Sequence, residues 1–159
     1  MYLNKKKVIF LISILTLISL FIFNHYKPQE IRVVDGDTIH LDGEKIRFIG
    51  IDTPELKQTC IKKGNKNFCG VTAREILIEK IADNKVECIS EGKDQYKRTL
   101  SECFVNNESL SSYLVRIGYA FAYRKYSKKF IIDEDFAKAN KVGMWSMKFE
   151  FPWDFRKNN

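Results

Sequence analysis

The sequence predicts a mixed α+β domain: a small β-barrel, closed or partly closed, with helices packed on it and a hydrophobic helix in front. Three observations predict it. Short strand signals punctuated by Asp-Gly turns occupy residues 31–51, and further ones fall at 85–89 and 99–105. Three later segments carry apolar residues at helical spacing. A sixteen-residue apolar run follows three lysines near the start. At 159 residues the chain has room for one domain with an appendage. A composition of 30% charged and 45% hydrophobic residues excludes a disordered or low-complexity protein.

The leader comes first in chain order. Val8 to Phe23 is broken only by Ser13, Thr16 and Ser19. As a helix it spans about 24 Å, slightly short of a hydrocarbon core of about 30 Å. Lys5, Lys6 and Lys7 precede it and should stay cytoplasmic, which sends the following chain across the membrane. The bulky Phe21–Tyr26 stretch offers no small-x-small cleavage site. An uncleaved membrane anchor is therefore favoured over a removed signal peptide, with residues 1–26 as leader and 27–159 as the exported domain. Without the leader the chain holds 24 basic and 20 acidic residues, a net charge of +4. That suits an anionic partner without demanding one.

Cys60, Cys69, Cys88 and Cys103 have spacings x8, x18 and x14, with no C-x-x-C pair. This argues against zinc and for two disulfides outside the cytoplasm. Of the three possible pairings, Cys60–Cys69 and Cys88–Cys103 are expected. The first closes a polar loop. The second lies symmetrically about a turn near Gln95–Tyr96, as cross-strand partners would.

Tyr26-Lys27-Pro28-Gln29 reads as a short polar link. Strands are expected at Ile31–Val34, Thr38–Leu41, Glu44–Ile51, Lys85–Ile89 and Thr99–Val105, with Asp42-Gly43 as a hairpin turn. Ala73, Ile76, Leu77 and Ile81 mark the first helix of the body. Leu110, Leu114 and Ile117 mark the second, with Asn107 as cap and Gly118 as stop. Phe130, Phe136 and Ala137 mark the third, which ends near Gly143. The aromatic tail from Phe149 to Lys157 is expected to dock on the barrel, because free aromatic rings are costly in water.

Three motifs carry chemistry. Val34-Asp35-Gly36-Asp37-Thr38 places two acids around a glycine between strands. Arg47-Phe48-Ile49-Gly50-Ile51-Asp52-Thr53-Pro54-Glu55 surrounds an apolar strand end with an arginine and two acids. An inward arginine there demands an anionic partner. Asp94-Gln95-Tyr96-Lys97-Arg98 is a charged hairpin tip. His40 reads as an ordinary strand residue, and Lys125, Lys128 and Lys129 as a solvated helix entry.

In this order and at these separations the motifs D-G-D-T, R-x4-D-T-P-E and D-x-Y-x-R resemble the thermonuclease family typified by staphylococcal nuclease. The likeness runs through Leu114–Ala120 and Gly143-Met144-Trp145, covering roughly residues 30–146. It implies a five-stranded OB barrel with three helices, and a calcium-dependent nuclease acting on DNA and RNA. It also implies roles. Asp37, Asp52 and the backbone carbonyl of Thr53 would hold Ca²⁺, whose preference is for hard oxygen ligands. Glu55 would be the general base, while Arg47 and Arg98 would grip the scissile phosphate. Tyr96 and Tyr123 would contact the nucleotide. Gln95 stands where the type enzyme has a phosphate-contacting lysine, and Lys97 replaces the glycine before the second arginine. The competing reading is an OB-fold module that binds single strands without cutting them. The complete set Asp37, Arg47, Asp52, Glu55 and Arg98 favours catalysis, since a binder needs no metal-plus-base arrangement. No protein partner is implied, and a monomer is expected.

Overall fold

Val8–Phe23 is apolar except for Ser13, Thr16 and Ser19, and the first described element is helix α1 (Lys5–His25).

The computed structural model describes residues 5–25 and 28–159. Tyr26 and Lys27, half of the expected polar link, lie outside the described residues. Among the described residues no helix is long and apolar enough to cross a membrane. The expected membrane anchor falls on α1. Its apolar run is only sixteen residues, about 24 Å of helix, and Ser13 and Thr16 turn their hydroxyls back onto the carbonyls of Phe10 and Ser13.

Asp-Gly turns fold the first strands of the body. β1 (Ile31–Val33) pairs antiparallel with β2 (Thr38–Leu41), which pairs with β3 (Glu44–Phe48). Asp42 and Gly43 both take positive φ, 51° and 85°, the geometry of a two-residue hairpin whose twist matches the strands. β4 (Ile51–Asp52) breaks away from β3 at Gly50, so the expected strand Glu44–Ile51 is two strands. Cys60–Lys62 and Asn65–Asn67 form β5 and β6, a hairpin around Lys63-Gly64 where a loop was expected.

α2 (Cys69–Ile81) leads to β7 (Glu87–Lys93) and β8 (Thr99–Val105), which pair antiparallel. β8 also runs parallel to β3, with Arg47 opposite Leu100. β9 (Glu108–Ser109) closes on β8, and α3 (Leu110–Arg116) follows. Its cap is Ser109, which accepts the Ser112 N–H at 3.3 Å, and not Asn107. Asn106 and Asn107 instead take positive φ in the preceding turn. β10 (Phe121–Ala122) pairs with β4, then come α4 (Ile131–Ala139), a 3₁₀ turn at Gly143–Ser146 and α5 (Pro152–Asn158). α5 was not foreseen.

The main sheet has the order β1-β2-β3-β8-β7, with β9 on β8. No strand pairing among the described residues joins β1 to β7, so the sheet is open at that edge, where a closed or partly closed barrel was expected. The gap between β1 and β7 is spanned by one side chain. Gln29 donates from Nε2 to the Val86 carbonyl and accepts the Val86 N–H, both at 2.9 Å. Ile39, Ile46 and Phe48 of the sheet meet Leu77 of α2 and Leu110 and Leu114 of α3 in the principal core. A second cluster gathers Cys60, Cys69, Phe121 and Met144 with the tail rings of Phe149, Phe151 and Trp153. The tail docks, as its aromatic content predicts. Both expected disulfides are present, Cys60–Cys69 and Cys88–Cys103, the latter between directly opposed residues of β7 and β8.

Candidate active site

β3, β4 and the turn between β1 and β2 converge on one half-buried arginine, Arg47. Arg47 faces away from the core while its neighbour Phe48 fills it, as strand alternation requires. Its guanidinium forms ion pairs with Asp37 and with Asp52, the second at 2.9 Å. The two carboxylates are almost fully buried. Asp37 Oδ2 also accepts the N–H and hydroxyl of Thr53, each at 2.9 Å, and Oδ1 accepts the Thr38 hydroxyl at 3.2 Å. Burial pulls the Arg47 guanidinium below its ordinary value while Asp52 holds it up; an arginine stays cationic at neutral pH through such a shift.

Asp35 completes this floor. Its Oδ1 accepts the Asp37 N–H at 3.1 Å. Burial pushes its carboxyl above the usual aspartate value, against the pull of Arg47 and Arg98. Gly36 between the two acids lies so close to Thr53 that a Cβ would stand 2.9 Å from the Thr53 side chain.

The rim is held less firmly. Glu55 is partly exposed, and its loop is set by Gly70: a Cβ there would collide with the Glu55 carbonyl. Gln58 is buried and accepts the Glu55 N–H at 3.1 Å. Arg98 immediately precedes β8 and is tied to Asp94 at 2.7 Å, with Asp94 Oδ1 also accepting the N–H groups of Tyr96 and Arg98. Tyr96 is 71% exposed, with the Arg98 guanidinium 5.6 Å from its ring centre. Tyr123 follows β10, donates its N–H to the Gly50 carbonyl at 2.9 Å and stacks on Trp153 at 5.7 Å.

One group reaches the site unannounced. Arg156 of α5 hydrogen-bonds Asp52 at 3.2 and 2.7 Å and Glu55 at 2.8 Å. Burial would lower its pKa, but these carboxylates raise it above the ordinary arginine value. The run of aromatic residues flanking it, Phe149, Phe151, Trp153 and Phe155, was the available signal that this segment packs against the body.

Among the described residues no group of three or more His, Cys, Asp or Glu side chains is arranged to hold a metal ion. Asp37 and Asp52 carry carboxylate oxygens, and Thr53 a carbonyl, of the hard kind that calcium prefers.

Buried carboxylates around an arginine, with a further acid and arginine at the rim, define a site built for anionic, phosphate-bearing ligands. The chain belongs to the family described as Staphylococcal nuclease homologue, whose profile matches residues 45–147. It is 32% identical to a thermonuclease of Staphylococcus hyicus, over 77% of this chain and 78% of that protein. It is 32% identical to an uncharacterized protein of Methanocaldococcus jannaschii, over 77% of this chain and 72% of that one. It is 28% identical to an uncharacterized endonuclease of Haemophilus influenzae, over 73% of this chain and 64% of that protein.

Proposed function

We propose that the protein is a calcium-dependent nuclease that hydrolyses phosphodiester bonds of DNA and RNA outside the cytoplasm. Nuclease chemistry follows from the family, and the observation that carries the finer reading is Arg47 held between the buried carboxylates of Asp37 and Asp52. Asp37, Asp52 and the Thr53 carbonyl would hold Ca²⁺, which when bound offsets charge on the phosphate. Glu55 orients the attacking water and takes its proton as the new phosphorus–oxygen bond forms and the bond to the leaving sugar oxygen breaks. Arg47 and Arg98 bind phosphate oxygens through their planar forks and stabilise the charge that builds there. Tyr96 and Tyr123 flank this centre as nucleotide contacts. The two disulfides support a location outside the reducing cytoplasm.

Incubating the full chain with single-stranded DNA tests the reading. Cleavage with calcium and none after chelation is expected. Retention of DNA without cleavage in either condition would favour the binding-module alternative.

A further inference from the structure

The last twelve residues lie beyond the family match, which ends at residue 147. They are nevertheless the most elaborately anchored part of the site's surroundings. Lys148 pairs with Ile61 of β5 through two backbone hydrogen bonds, 2.9 and 3.0 Å. Gln58, whose Oε1 holds the Glu55 N–H, donates from Nε2 to the Glu150 carbonyl at 2.6 Å. Phe151 packs edge-on to Phe121 and stacks on Trp153. Trp153 in turn lies parallel to Tyr123, 3° from coplanar orientation, covering one face of that ring. These contacts deliver Arg156 onto Asp52 and Glu55.

The occupancy of the carboxylates is what matters. Every oxygen of Asp37 and Asp52 already accepts from a cation or a hydrogen-bond donor. Asp37 meets Arg47, Thr38 and Thr53; Asp52 Oδ1 meets Arg47 and Arg156, and Oδ2 meets Arg156. A divalent cation that takes Asp52 competes with two arginines already on its oxygens. Arg47 sits on a central strand with a side chain 15% exposed, whereas Arg156 is 41% exposed on a short terminal helix. Arg156 is the one that can leave.

We infer that the C-terminal segment is a self-inhibiting strap: Arg156 competes with the divalent cation for Asp52 and clamps Glu55, while Trp153 shields Tyr123. This rests on the cation site of the proposed function. Cation binding and release of α5 are then linked reciprocally, because each disfavours the other's contact with Asp52.

Calorimetric titration of the full chain with calcium chloride tests the strap without an activity assay. Arg156→Gln should bind calcium on the order of tenfold more tightly than the unmodified chain. Trp153→Ala, which leaves the carboxylates untouched, should move in the same direction by less. Lys157→Gln removes the same charge from α5 but pairs with Asp154 rather than the site, and should leave the affinity unchanged. Amide exchange across residues 152–158 should quicken when calcium is added to the unmodified chain. Equal affinities for the unmodified chain and Arg156→Gln would overturn the strap and leave the cation site standing. A gain in Lys157→Gln equal to that in Arg156→Gln would reduce the effect to net charge and overturn it too. No calcium binding by any variant would overturn strap and cation site together.

Discussion

Arg47 and Arg98 carry the same guanidinium to the same site, from opposite kinds of scaffold. Arg47 is enclosed by Asp37 and Asp52 on strands whose other faces fill the core. Arg98 is tied to Asp94 within a turn at the edge of the sheet. The first is therefore part of what holds the domain together, and the second is part of what the domain holds out. Loss of the first leaves two buried carboxylates without their cation; loss of the second leaves one carboxylate that water can solvate.

The largest effect separates the two. Arg47→Ala should abolish turnover and also lower stability by about 3–5 kcal/mol, because it strands buried charge. Arg98→Ala should abolish turnover while changing stability by less than about 1 kcal/mol. Urea unfolding beside a cleavage assay reads both. Equal destabilisation by the two variants would erase the distinction between floor and rim. Arg98→Lys sharpens the point, since it keeps the charge but removes the fork: turnover should fall roughly a hundredfold with the unfolding midpoint unchanged.

The same division decides what was legible in the sequence. Asp37, Arg47 and Asp52 are brought together by the resemblance to the thermonuclease family, while strand alternation gives only that Arg47 and Phe48 point opposite ways. The sequence reads the β5–β6 hairpin as a loop because each strand is only three residues long and Asn65-Lys66-Asn67 is polar on both sides; only Lys63-Gly64 marks the turn. Gln29 links the segment before β1 to the residue before β7 through one side-chain amide, and no periodicity records that. Arg156 was invisible for a related reason. Its partners lie about a hundred residues away, and its place is set by ring packing at Phe121 rather than by any local pattern.

A smaller effect concerns Asp94. Although burial opposes it, hydrogen bonds from Arg98 and from the backbone of Arg98 and Tyr96 hold its carboxyl below the ordinary aspartate value. A depressed folded-state pKa gives stability that is present above the unfolded value, about 3.9, and lost as pH falls through the folded one. The turn should therefore loosen only in acid below about pH 4. Asp94→Asn should lower turnover by roughly tenfold at neutral pH, through misplacement of Arg98 rather than its loss. Amide exchange of residues 94–98, followed from neutral pH into acid, checks the window; loosening that begins near neutrality would contradict the assignment.

The two disulfides repeat the contrast in covalent form, and the effect on turnover is confined to one of them. Cys88–Cys103 joins opposed residues of strands that are already hydrogen-bonded, so it acts mainly on the unfolded chain. Its removal by Cys88→Ala and Cys103→Ala should lower stability by about 3 kcal/mol and leave turnover of the folded protein intact. Cys60–Cys69 instead ties the β5–β6 hairpin to the start of α2, one residue before the glycine that sets the Glu55 loop. Its removal should act on that loop first. In a dithiothreitol titration, activity should fall before the far-ultraviolet circular dichroism changes, and Cys60→Ala with Cys69→Ala should reproduce the early loss alone. If activity and fold decline together, the bridge beside Glu55 contributes only to global stability, and the loop owes its position to Gly70 and Gln58.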